Sequence, residues 1–178
     1  MNEAHSQISR NATTGALQGP AVPLLRFATY AAVLVATLLV VVKLYAWTET
    51  GSVALLSSLV DSIFDALASI INLIAVRAAL APHDREHRFG HGKAEPLAGL
   101  IQAVIISASL IFVFAEAIPR FLNPVPIAQG GVGLAVMLVS IMLTGALLLV
   151  QRHATRRTGS VAVSADSLHY RSDLLMNL

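Results

Sequence analysis

The chain contains no cysteine, which excludes disulfides and thiolate metal sites alike. It is also poor in charge: 12% of its 178 residues are Asp, Glu, Lys or Arg, against about 25% in a soluble globular domain. Aromatic residues make up 6%, with a single Trp. With 56% hydrophobic residues and a mean hydropathy of +0.71, too little polar surface remains to meet water. The apolar residues fall in blocks of about 20, the length of helix that crosses a bilayer's hydrocarbon core. These absences define an integral membrane protein. Without thiolates, a metal site here must use His, Asp and Glu, a set that suits Zn²⁺, Fe²⁺ or Mn²⁺ better than Cu⁺. The sequence pI near 9.4 does not point to nucleic acid, because the basic residues flank hydrophobic blocks, as membrane topology requires.

Residues 1–22 are polar and lack the apolar core and cleavage site of a signal peptide, which predicts a flexible cytoplasmic tail. Spans are expected at about 24–47, 53–80, 97–121 and 132–150, with a fifth helix from about Val161. The architecture is therefore an all-α membrane protein, a transmembrane bundle of about five helices. Lys43 falls inside the first span, near enough to its end to snorkel toward the interface. Between the second and third spans lies the one long polar loop, PHDREHRFGHGKAEP; the segment 151–159 reads as a basic linker. If the spans alternate, Arg10, Arg26, Arg77, Arg85, Arg88, Lys93, Arg152, Arg156 and Arg157 share one side, and only Arg120 faces the other. The positive-inside rule puts that basic side, with the N-terminus, in the cytoplasm.

Two carboxylates, Asp61 and Asp65, sit in the middle of the second span. Charged side chains at that depth are costly and usually functional. Their i, i+4 spacing puts both on one helical face, close enough to share an ion. His169 and Asp173 repeat the spacing in the fifth helix. Together the two pairs offer four N/O ligands, the number a tetrahedral Zn²⁺ site needs. Asp166 shares the face of His169, and a cytoplasmic entrance and a structural role explain it equally well. In the loop, Asp84, His87 and His91, with His83 and Glu86 beside them and glycines at 90 and 92, could hold another metal. A solvated His-rich loop accounts for that pattern as well.

The run GSVALLSSLVDSIFDALASIINLIAVRAALAPHDREHRFGHGKAEPLAGLIQ, with VSADSLHYRSDLLMN further on, resembles the cation diffusion facilitator family, in particular its bacterial zinc and ferrous-iron efflux pumps. The resemblance implies a six-helix transmembrane domain over residues 23–178, incomplete here, since the sixth helix and a cytoplasmic metal-binding C-terminal domain are absent. It implies a homodimer in the full-length parent, with Lys93 matching a basic residue at dimer contacts, in a bacterial inner membrane. It further implies a secondary transporter, not an enzyme, exchanging Zn²⁺ (Fe²⁺ or Cd²⁺ as alternatives) for protons. Carried over by position, Asp61, Asp65, His169 and Asp173 form the transport site, and Asp84, His87 and His91 a second one. Two other readings stand beside it: a proton-coupled carrier of another cation, and a non-transporting fragment that only binds metal.

Overall fold

The computed structural model describes residues 22–81, 94–122 and 130–176. Five helices account for nearly all of them: α1 (Val22–Thr50), α2 (Val53–Ala79), α3 (Ala94–Leu122), α4 (Gly130–Thr158) and α5 (Val161–Met176). No strand occurs among the described residues. The first four are long and apolar enough to cross a membrane, as the hydropathy blocks predict. The N-terminal tail and the 82–93 loop lie outside the described residues.

Two expectations need correction. Residues 151–158 form no separate linker: α4 continues through them to Thr158. At 29 residues it is about 43 Å long, against a hydrocarbon core of about 30 Å. Its last turns can therefore leave the apolar layer and expose Arg152, Arg156 and Arg157 without breaking the helix. Lys43 does not snorkel either. It is 5% exposed, and its ammonium donates to Ser62 Oγ at 2.6 Å and to the Ser58 carbonyl at 3.2 Å, both in α2. Leu39, Lys43 and Ala46 lie on one buried face of α1, so the side chain starts out pointing inward.

The helices close a ring in the order α1, α2, α3, α5, α4 and back to α1, with α5 also touching α2 across it. Small residues make the close approaches. Ala28, Ala32 and Ala36 recur one turn apart on α1 and are fully buried, the arrangement that lets apolar helices approach closely enough for dispersion contacts in lipid. A cluster of Ala28, Val76, Ala98, Ala154 and Ala162 joins all five helices near one end. The large apolar side chains point outward instead: Leu34, Ile74, Ile111, Phe114, Met142 and Leu149 are all more than 60% exposed, which suits a surface solvated by lipid.

Two turns have the same construction. Thr50-Gly51-Ser52-Val53-Ala54 joins α1 to α2, and the identical pentapeptide at 158–162 joins α4 to α5. Each glycine has positive φ, +61° and +65°, and donates its N–H at 2.8 Å to the carbonyl four residues back, a left-handed helix cap. Each threonine hydroxyl donates to an alanine carbonyl one turn earlier, Ala46 or Ala154. Each also accepts from the following serine N–H. Ten residues past the glycine stands Asp61 in α2 and His169 in α5; fourteen past it stand Asp65 and Asp173. The two turns lie at opposite ends of the bundle, because α5 begins beside Gly99 at the start of α3.

Candidate metal centre

Helical periodicity builds the interior of the bundle. On α2, Ser62, Asp65, Ser69 and Asn72 follow one another at steps of three or four, and all are buried. On α5, Asp166, His169, Tyr170 and Asp173 make the matching stripe, also buried. Facing stripes put polar groups in pairs along the seam. Ser69 Oγ and Tyr170 OH lie 2.7 Å apart. His169 Nε2 lies 2.7 Å from Asp65 Oδ1 and 3.7 Å from Asp173 Oδ2.

Asp65, His169 and Asp173 each present one ligand atom, and the three atoms lie within 4.8 Å of one another. In a tetrahedral site with bonds of about 2.0–2.2 Å, ligand atoms stand roughly 3.3–3.6 Å apart. At 3.7 Å the His169–Asp173 separation is close to that spacing. The His169–Asp65 pair is closer, at hydrogen-bond distance; an ion between them replaces the shared proton and moves the two apart by under about 1 Å. His169 Nε2 faces both carboxylates, and an imidazole nitrogen so placed can hold either a proton or a metal ion.

Asp61 stands apart from this trio. Its carboxylate accepts a hydrogen bond from Ser109 Oγ of α3 at 2.7 Å, one turn along α2 from Asp65. The spacing predicts four ligands; three of them, Asp65, His169 and Asp173, lie together in this structure, and Asp61 is held beside them by Ser109. The loop residues Asp84, His87 and His91 lie outside the described residues.

Three contributors were not singled out as site residues from the sequence. The Lys43 ammonium lies near enough to act electrostatically on Asp65, Asp61 and Asp173. Ser62 anchors that ammonium, and Ser109 anchors Asp61. Their common signal is position: each is a polar residue on a buried stripe of an otherwise apolar span. Asp166, the fourth acidic residue of the seam, sits one turn from His169 and is fully buried between Gln102 and Gln151.

The family model for the cation efflux transmembrane domain matches residues 29–178. The chain belongs to that cation efflux family. Relatives include the cation-efflux pump FieF of Citrobacter koseri, 48% identical over 150 residues, and that of Cronobacter sakazakii, 49% identical over 150. Each alignment takes in 84% of this chain and 50% of the relative. The FieF pump of Shewanella oneidensis is 48% identical over 152 residues, 85% of this chain and 51% of its own. The chain thus spans about half the length of the curated relatives it matches. Cation efflux membership and four apolar spans make this an integral, multi-pass membrane protein.

Proposed function

We propose that this chain forms the ion-conducting bundle of a proton-coupled efflux transporter for divalent cations, with Zn²⁺ the preferred substrate and Fe²⁺ or Cd²⁺ accepted. The observation that carries this reading is the buried trio of Asp65, His169 and Asp173 on facing helices, their ligand atoms within 4.8 Å of one another. Asp61 completes the ligand set, giving three carboxylates and one imidazole. That set is ionised and neutral, respectively, only when its protons have left, so metal and protons compete for the same atoms. Exchange follows: cation binding from the cytoplasm expels protons, and protons from the far side expel the cation.

Lys43 supports the same account. Three carboxylates beside one ammonium leave two negative charges, which a divalent cation neutralises with His169 uncharged. Charge balance in a low-dielectric interior thus favours a divalent over a monovalent ion. The loop residues Asp84, His87 and His91 form a second, cytoplasmic metal site in this reading, and the working transporter is a homodimer in a bacterial inner membrane with its N-terminus inside.

Reconstitution tests the reading. Proteoliposomes containing this chain, with a zinc-sensitive dye and an imposed pH gradient, are expected to take up Zn²⁺ with counterflow of protons. Asp65→Ala is expected to abolish the flux without changing insertion. Equilibrium binding of Zn²⁺ with no flux is the outcome of a fragment that only binds metal. Proton flux independent of Zn²⁺ would identify a carrier of another cation.

A further inference from the structure

Between the metal centre and the end of the bundle where α5 begins lies a second polar group that the centre does not use. Asp166 is fully buried there, and Asn72, Gln102 and Gln151 are each 1% exposed. The four come from α5, α2, α3 and α4 respectively. Gln102 Nε2 donates to one carboxylate oxygen at 2.9 Å, and Gln151 Nε2 to the other at 2.5 Å. Asn72 is also within hydrogen-bonding reach of Asp166, and its amide oxygen has no hydrogen-bond partner. Gln151 Oε1 and Thr155 Oγ1, one turn further along α4, are also buried without a partner.

We propose that Asn72, Gln102, Gln151 and Asp166 form a transit site for a partly hydrated divalent cation on its way to Asp65, His169 and Asp173. The inference rests on the transport reading above and adds a station to its path. A purely structural clasp needs only the carboxylate and its amide donors. It leaves unexplained three unpartnered polar groups, two of them carbonyl oxygens, in the interior of a membrane bundle, where such groups are rare and costly. Those oxygens, with a fixed carboxylate, are what a hard cation or its bound waters require. Amide side chains also suit both states. They turn N–H to the carboxylate when the site is empty and oxygen to the ion when it is full, with no change of charge. The site contains no imidazole, so it holds Zn²⁺ more weakly than the centre does, as a transit station should. Asp166 precedes His169 by three residues, about 4.5 Å along the helix, a short step from one site to the next.

The test uses Mn²⁺, an oxygen-seeking ion visible by electron paramagnetic resonance. The chain is first changed at the centre (Asp65→Ala, His169→Ala, Asp173→Ala) and in the loop (Asp84→Ala, His87→Ala, His91→Ala), so that neither can hold metal. One Mn²⁺ per chain is expected to remain, with coordinated water detected by proton double resonance. Asp166→Asn is expected to weaken it at least tenfold. Gln151→Glu adds a second carboxylate and is expected to tighten it about tenfold, whereas in a structural clasp that change only sets two like charges together. Zn²⁺ binding by the unaltered centre is measured in parallel. A centre that binds Zn²⁺ beside a cluster that holds no Mn²⁺ overturns the transit site alone. Loss of Zn²⁺ binding at the centre overturns the transport reading. Mn²⁺ binding indifferent to both Asp166→Asn and Gln151→Glu also overturns the transit site, because the ion then sits elsewhere. If Asp166→Asn fails to fold, Gln151→Glu and Gln102→Leu decide the question, the latter expected to weaken Mn²⁺ several-fold.

Discussion

Asp65 and Lys43 bear on the same ion with opposite sign, and two substitutions separate their roles. Asp65 lies within hydrogen-bond distance of His169, so Asp65→Ala removes a ligand and also the partner that orients the imidazole. Zn²⁺ affinity measured by calorimetry is expected to fall at least about a hundredfold, or about 2.8 kcal/mol. Lys43 acts from further away, through its charge. Removing a cation next to a divalent-ion site strengthens binding of the ion. Lys43→Met keeps much of the stem volume, so the same titration is expected to show Zn²⁺ held about tenfold more tightly, about 1.4 kcal/mol. Tighter binding should slow release and therefore lower flux. Weaker binding in Lys43→Met would show instead that the ammonium positions Ser62 and α2, and that its charge is secondary. His169 is the single nitrogen ligand among the proposed four, and selectivity is expected to follow from it. His169→Asp makes the site all-oxygen and is expected to weaken Zn²⁺ more than Mn²⁺ in competition assays.

At the level of elements, the two Thr-Gly-Ser turns set the register of the ligands. Each helix cap fixes where its helix starts, and the ligands follow at positions ten and fourteen past the glycine. Nothing lies within 4 Å of a Cβ built on Gly51 or Gly159, so space does not demand glycine there. Positive φ does. Gly51→Ala and Gly159→Ala are each expected to cost about 1–2 kcal/mol. Gly145→Ala, inside α4 with equally open surroundings, is expected to be neutral or stabilising by up to about 1 kcal/mol. Thermal unfolding of the three variants in detergent checks the contrast; equal losses at Gly145 and Gly159 would remove conformation as the reason. The helices themselves were legible because their signal is local: apolar blocks of bilayer length and two intramembrane i, i+4 pairs. The ends were not. A basic run such as 151–158 looks like a linker to a hydropathy argument, yet nothing in it breaks a helix before Gly159. The fate of Lys43 was hidden for another reason. Whether a lysine snorkels depends on what its neighbours offer, and Ser62, Asp61 and Asp65 meet it only after α1 and α2 pack together.

Over the whole molecule, the same limit separates what the sequence revealed of the site from what it did not. Spacing placed two ligand pairs on two faces. It could not show that Ser109 holds Asp61, because that contact joins residues 48 apart. What it did carry was a repeated hairpin, α1–α2 and α4–α5, with its turns at opposite ends of the bundle. Inverted repeats of this kind occur in transporters whose sites lie near the midplane, and here they bring Asp65 of one hairpin against the His169–Asp173 pair of the other. The pairing has a consequence for proton coupling that one measurement can read. His169 Nε2 and Asp65 Oδ1 lie 2.7 Å apart, at hydrogen-bond distance, and Asp173 lies beside them. Metal binding needs that imidazole neutral and those carboxylates ionised, so each bound ion must release protons. The sign follows: lowering pH adds protons to the ligands and weakens Zn²⁺, and raising pH strengthens it until the ligands are all deprotonated. The apparent log affinity plotted against pH, over about pH 5.5 to 8 around the reference His value, is expected to rise with a slope of at least one. The slope counts the protons released, and calorimetry in buffers of different ionisation enthalpy counts them independently. His169→Asp removes the group that ordinarily titrates nearest neutrality and is expected to move the steep part of the curve toward acid. A flat profile for the unaltered chain, with Zn²⁺ bound, would separate metal binding from proton release and leave the exchange without a chemical basis at this centre.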